Sequence, residues 1–187
     1  MAILNHENVV KFFGFEKVDG TNKKAIIMDN CEGNLQDAID NKPNGLAISE
    51  VMRLDQNIVG AMARLRSKNV IHRDIKPGNI LLFRQEDGQS IYKLTDFGAA
   101  RFLKPDETYG SLYGTFEYLH PDIFGKYYAH NLNILPEQRF TDGHELWSIG
   151  VTIYEAITGE LPFEPKKGRQ DPQNMYTMIS QKNIDDI

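Results

Sequence analysis

Apolar residues first gather in two short runs, Val9 to Phe15 and Lys24 to Met28, separated by the turn-forming stretch Asp19-Gly20-Thr21-Asn22. Two β-rich runs around such a turn predict an antiparallel hairpin. The period then lengthens. Asn34 suits the N-cap of a short helix burying Leu35, Ala38 and Ile39, and Pro43-Asn44-Gly45 ends it. Ser49 is the expected cap of a longer helix, because Val51, Leu54, Ile58, Ala61, Met62 and Leu65 recur on one face at helical spacing. Glu50 in its first turn and Arg64, Arg66 and Lys68 in its last suit the helix dipole.

Further along, Ile80 to Phe83 and Ile91 to Leu94 read as strands joined by the turn Glu86-Asp87-Gly88-Gln89. Residues 99 to 145 lack sustained periodicity and read as a long loop with short helical pieces, which in a compact domain usually carries function. Leu146, Trp147, Ile149, Val151, Ile153, Tyr154 and Ile157 make the next segment apolar nearly all round, predicting a buried central helix stopped by Gly159. A polar loop and an amphipathic piece near Met175 to Ile179 follow.

A length of 187 residues predicts one domain, and 41% hydrophobic with 25% charged residues is an ordinary soluble composition. The net charge of -5 argues against a nucleic-acid-binding chain, and the cluster Lys166-Lys167-Gly168-Arg169 is short enough to be a solvated loop. One cysteine, Cys31, excludes an intramolecular disulfide and a cysteine-based zinc site. No apolar run approaches the ~20 residues of a membrane span. The start is neither a charged signal region nor an amphipathic transit segment. The expected location is therefore the cytoplasm.

The chemistry concentrates in His72-Arg73-Asp74-Ile75-Lys76-Pro77-Gly78-Asn79, followed seventeen residues after Asn79 by Asp96-Phe97-Gly98. H-R-D-x-x-x-x-N plus D-F-G resembles a protein-kinase catalytic loop and metal-binding loop. Lys76, two residues after Asp74, matches serine/threonine rather than tyrosine kinases. Asp74 would orient the attacking hydroxyl, and Lys76 would balance charge on the transferring phosphoryl group. Asn79 leads into one strand and Asp96 follows the next, so two oxygen donors suited to Mg²⁺ can converge. His72 and Phe97 are expected to pack rather than react, as are Tyr113, Trp147 and Phe163. Arg73 carries a fork suited to a phosphate, with Thr108, Tyr109, Ser111 and Thr115 as candidate phosphorylated hydroxyls. Met28 would be the gatekeeper, and Asp29 and Cys31 would meet the adenine. Cys31 equally suits a buried small apolar position.

On these motifs the chain resembles the IκB-kinase-related family, the branch of TANK-binding kinase and the epsilon-type IκB kinase. The resemblance rests on Leu4-Asn5-His6-Glu7-Asn8-Val9-Val10-Lys11, His72 to Asn79, and Glu86 to Ser90 continuing from Tyr92 to Arg101. Its most specific stretch is Ser111-Leu112-Tyr113-Gly114-Thr115-Phe116-Glu117-Tyr118-Leu119-His120-Pro121-Asp122, and the insertion from Tyr127 to Phe140 also fits. It implies an α+β, protein-kinase-like fold over 1–187. Residues 1–31 would be a two-strand small-lobe remnant with the hinge, and 32–187 an incomplete, mostly helical large lobe. It implies ATP and Mg²⁺ as cofactors, Ser111 as the activation-loop phosphosite, and protein serines and threonines as substrates. It also implies innate immune or autophagy signalling, with adaptor proteins and a possible homodimer acting through regions outside this sequence. Two residues depart from the family. Glu145 stands where an aspartate anchors the catalytic loop, predicting a looser anchor, and Phe116 replaces an acidic residue. The sequence holds no G-x-G-x-x-G and no phosphate-pairing lysine ahead of these motifs. Two expectations follow: little activity for the chain alone, and, as the alternative function, a truncated, inactive kinase-like scaffold or binding module.

Overall fold

The computed structural model describes residues 4–103, 113–123 and 142–163. Its first element is the hairpin anticipated from the turn residues: β1 (Phe12–Lys17) pairs antiparallel with β2 (Lys24–Met28), from Lys17 opposite Lys24 to Phe12 opposite Met28. A bulge between Phe12 and Gly14 shifts the register. The strand starts later than the apolar run because Val9 and Val10 are taken by a different partner. The Val10 amide donates to Leu94 O at 3.0 Å, and the Leu94 amide donates to Asn8 O at 2.9 Å. Val9 and Val10 are buried there, whereas Phe13, Phe15, Ile26 and Met28 of the hairpin are exposed.

Gly33–Asn34 forms β3, and Asn34 then caps α1 (Leu35–Asp40). The cap is reciprocal: Asn34 Oδ1 accepts from the Asp37 amide, and Asp37 Oδ2 accepts from the Asn34 amide. α2 (Ile48–Ser67) is the long amphipathic helix, and it buries Val51, Leu54, Ile58, Ala61 and Leu65 as the spacing demands. Its start differs from expectation. Ala47 is the N-cap, without a side-chain bond, and Ser49 lies inside the first turn. The buried Leu46 fixes that start by donating its amide to Ala156 O at 2.7 Å.

After α2, β4 (Val70–Ile71) pairs with β7 (Arg101–Phe102). β5 (Ile80–Arg84) and β6 (Ser90–Leu94) pair antiparallel, and β3 joins β5, giving the order β3-β5-β6. The core lies between this small sheet and α2. Leu35, Ile39, Ile75, Ile80, Tyr92 and Leu94 pack there against the α2 face. Each fully buried aliphatic side chain stabilises the fold by roughly 1.5–3 kcal/mol. The result is the expected α+β chain with few, short strands.

The last described helix, α3 (Asp142–Thr158), corrects the reading of 146–157 as apolar all round. Leu146 and Ile157 are 65% and 41% exposed. The buried side instead carries His144, Glu145, Ser148, Thr152 and Glu155 beside Ile149, Val151 and Ala156. These polar atoms have work in the core: Ser148 Oγ donates to Tyr118 O at 2.7 Å, and Tyr118 Oη donates to Glu155 Oε2 at 2.6 Å. Gly159 ends the helix as expected, with a φ of 80°, and a Cβ there would meet Pro43 O at 2.5 Å. No described helix is long and apolar enough to cross a membrane. The segments 104–112, 124–141 and 164–187, which include Thr108, Tyr109, Ser111 and the Lys166 cluster, lie outside the described residues.

Candidate active site

The chain between β4 and β5 is short and tightly held, and it delivers the polar residues to one place. Pro77–Asn79 forms a 3₁₀ turn leading directly into β5. The Thr95 amide at the end of β6 donates to Asn79 O at 3.0 Å. That bond holds the end of β6, one residue before Asp96, against Asn79.

Asp74 is the hub. Its Oδ2 accepts from Asn79 Nδ2 at 2.9 Å, and the same amide nitrogen donates to Asp74 O at 2.8 Å. Lys76 Nζ stands 3.5 Å from Oδ2. On the other side the Thr115 hydroxyl donates to Asp74 Oδ1 at 2.8 Å and accepts from Lys76 Nζ at 2.7 Å. A hydroxyl is thus held between a carboxylate and an ammonium, the arrangement a reacting alcohol needs. Sequence reading had Thr115 only among hydroxyls open to phosphorylation. Its role was signalled by Gly114, which has a φ of 110° and sits where a Cβ would meet Arg73 O at 2.6 Å. Only glycine allows that approach, which lays Thr115 against the catalytic loop.

Two site residues, Arg73 and Asp96, have left-handed φ of 68° and 56°. Such backbones persist only where surroundings hold them. Asp96 is supported by its own Oδ1, which accepts from the Gly98 amide at 3.2 Å. Arg73 is held by its backbone amide donating to Glu145 Oε1 at 2.9 Å and by Nε donating to Ala99 O at 2.7 Å. The His72 amide also donates to Glu145 Oε1, at 2.6 Å. Glu145 therefore grips two successive amides of the catalytic loop while buried. The longer side chain of glutamate spans the distance from α3 to both amides.

His72 and Phe97 pack, as expected, edge to face with ring centroids 4.9 Å apart. His72 is fully buried. Burial pushes its pKa down, against the opposing pull of its bond to Thr95 O and of Asp74 and Asp96. Its Nε2 lies 2.8 Å from Thr95 O, and Nδ1 accepts from the Asp74 amide. Both contacts are satisfied by one neutral tautomer with the proton on Nε2. Trp147 and Phe163 stack at 5.7 Å, as packing residues should. Tyr113 does not pack in a core: it is 44% exposed, and its ring lies 4.5 Å from the Arg73 guanidinium carbon.

Met28, Asp29 and Cys31 lie where β2 leaves the hairpin. Met28 is exposed, and its Sδ is 4.0 Å from Thr95 Oγ1, so β2 ends above the Asp96 loop. The Asp29 amide donates to Lys11 O, and its Oδ2 meets the Lys11 amide at 3.1 Å and Lys93 Nζ at 3.4 Å. Cys31 is a half-buried free thiol. As a donor set, the Asn79 amide oxygen and the Asp96 carboxylate suit a hard cation such as Mg²⁺. Asn79 Nδ2 is spent on Asp74, which turns its oxygen to the other side.

The whole motif set has a match among known families. The protein kinase domain model covers residues 1–186. The chain belongs to the protein kinase domain family. Over 184 residues it is 45% identical to the mouse inhibitor of nuclear factor kappa-B kinase subunit epsilon, covering 96% of this chain and 25% of that protein. It is 34% identical over 167 residues to human serine/threonine-protein kinase ULK1, covering 86% of this chain and 15% of that protein. It is also 31% identical over 194 residues to the mouse inhibitor of nuclear factor kappa-B kinase subunit beta, covering 100% and 24%. The chain thus spans a quarter or less of the length of these curated relatives.

Proposed function

We propose that this chain is the catalytic part of a serine/threonine protein kinase that moves the γ-phosphate of ATP to protein hydroxyls. The observation that carries this reading is the Thr115 hydroxyl held between Asp74 Oδ1 and Lys76 Nζ. A substrate serine or threonine hydroxyl meeting the same two groups would have its proton drawn toward Asp74. Its oxygen would then face a phosphoryl group whose charge Lys76 balances. Asn79 fixes the Asp74 rotamer, and His72 and Glu145 fix the backbone beneath it. Asn79 and Asp96 would hold Mg²⁺, which when bound neutralises charge on the nucleotide phosphates. The adenine would lie against Met28 and pair with backbone groups of Asp29 and Cys31.

In this reading residues 1–31 belong to the small lobe and hinge, and 32–187 to the large lobe. The segment from Asp96 to Asp122 is the activation segment, and Ser111 its regulatory phosphosite. Phosphate there would reach the Arg73 guanidinium, whose neighbour on that side is the Tyr113 ring. Similarity to the kappa-B kinase subunits and ULK1 supports protein serine substrates, a cytoplasmic location, and signalling of the innate-immune or autophagy type. Adaptors and a homodimer would engage regions outside this sequence. The test is a phosphotransfer assay of the full-length protein on serine, threonine and tyrosine peptides. Serine or threonine labelling, reduced at least ~100-fold by Asp74→Asn, is expected. Tyrosine labelling, or labelling unaffected by Asp74→Asn, would overturn the reading.

A further inference from the structure

Away from the catalytic loop, three side chains with metal-binding atoms converge where the segment after Thr115 meets the first turns of α3. His120, Asp122 and His144 each present one candidate ligand atom, and these atoms lie within 4.8 Å of one another. The His120 and His144 rings meet edge to face with centroids 4.8 Å apart. His120 Nδ1 stands 3.8 Å from Asp122 Oδ2. We propose that His120, Asp122 and His144 form a binding site for Zn²⁺ that ties the end of the activation segment to α3.

The chemistry selects the ion. Two imidazoles and one carboxylate are a donor set for zinc and other late first-row divalent metals, whereas Mg²⁺ takes oxygen ligands and keeps its waters. This site is therefore chemically distinct from Asn79 and Asp96. Zinc holds imidazole nitrogen and carboxylate oxygen at ~2.0–2.2 Å, so in a tetrahedral site two of its ligands stand about 3.4 Å apart. Ligand atoms up to 4.8 Å apart must therefore draw together by up to about 1.4 Å. Asp122, whose side chain is 65% exposed, has the rotamer freedom to move onto an ion held by the two rings. His144 is buried and the His120 side chain only 24% exposed, so the two rings are the fixed half of the site. The Asp122 amide donates to His120 Nδ1 at 3.1 Å. Coordination through that nitrogen exchanges this bond for a metal bond to the same lone pair. The Trp147 ring, 5.4 Å from His120 and stacked on Phe163, walls one side with apolar surface. Three protein ligands leave a fourth position for water.

The location gives the ion a consequence. His144 precedes Glu145, which grips the His72 and Arg73 amides. Tyr118, two residues before His120, is pinned to α3 through Ser148. Zinc would add a third tie between that segment and α3, beside the bonds of Tyr118 to Ser148 and Glu155.

The test titrates the metal-stripped full-length protein with Zn²⁺ by calorimetry in saturating Mg²⁺, and with Co²⁺ by visible absorption. One zinc equivalent is expected at this site, with the absorption of a tetrahedral nitrogen and oxygen Co²⁺ centre. Asp122→Ala, His120→Asn and His144→Val should each lower Zn²⁺ affinity at least tenfold and weaken that absorption. Asp122→Ala changes an exposed side chain, so it remains informative if the buried His144→Val chain fails to fold. Absence of Zn²⁺ binding in Mg²⁺ would overturn the proposal. Unchanged affinity in Asp122→Ala together with His120→Asn would do the same.

Discussion

The Thr115 hydroxyl bridges Asp74 and Lys76, so the contribution of that side chain is directly open to measurement. It donates to Asp74 and accepts from Lys76, and both contacts need an oxygen rather than a particular size. Thr115→Val should lower kcat about tenfold or more, a loss of ~1.4 kcal/mol per factor of ten, whereas Thr115→Ser should keep most activity. Equal loss in both would assign Thr115 to packing. His72 gives a different signature. Its pKa is lowered by burial, so folding favours the neutral ring. Stability from that preference is fully present above the unfolded value near 6.5 and declines as pH falls through the folded value. Urea midpoints should therefore drop from pH 7.5 to pH 5.5, and His72→Asn should flatten the slope across that window. A slope unchanged by the substitution would count against a buried neutral His72.

Among the elements, α3 has the largest gap between what its sequence suggests and what it does. Its apolar residues predict a greasy rod, yet its buried side spends Glu145, Ser148 and Glu155 on backbone and side-chain partners elsewhere. Hydrophobic periodicity reports which residues tolerate burial and is blind to a buried carboxylate whose partners are distant amides. The hairpin, the Asn34 cap of α1 and the α2 face were legible because each signal is local in the chain. The α2 start was not, because the Leu46 amide is bonded to α3. Glu145→Ala would orphan two buried amides and should cost about 3 kcal/mol of stability, read as a lowered urea midpoint. A change under ~0.5 kcal/mol would show that the loop is anchored elsewhere. The activation segment carries its own prediction. Ser111→Ala should lower the activity of the full-length protein strongly, whereas Thr108→Ala should not. Phosphopeptide mapping that found Thr108 or Tyr109 modified without Ser111 would remove Ser111 from that role.

For the molecule as a whole, the proposed catalysis would draw on groups from β2, the 72–79 loop, the end of β6, the 113–116 segment and α3. The motif spacing picked out Asp74, Lys76 and Asn79 in the chain, and the structure brings those three side chains into contact. Thr115 and the two-amide grip of Glu145 emerged only in three dimensions, because each acts across the fold on residues distant in sequence. The proposed function divides the labour: Asp74 would orient the hydroxyl while Asp96, with Asn79, would serve the metal. Calorimetry of a non-hydrolysable ATP analogue with Mg²⁺, on the full-length protein and its Asp74→Asn and Asp96→Asn variants, tests it most directly. Asp96→Asn should weaken Mg²⁺-dependent binding at least tenfold while Asp74→Asn leaves it nearly intact. Both should lower kcat at least ~100-fold, or ~2.7 kcal/mol. Equal loss of nucleotide affinity in the two variants would contradict the account.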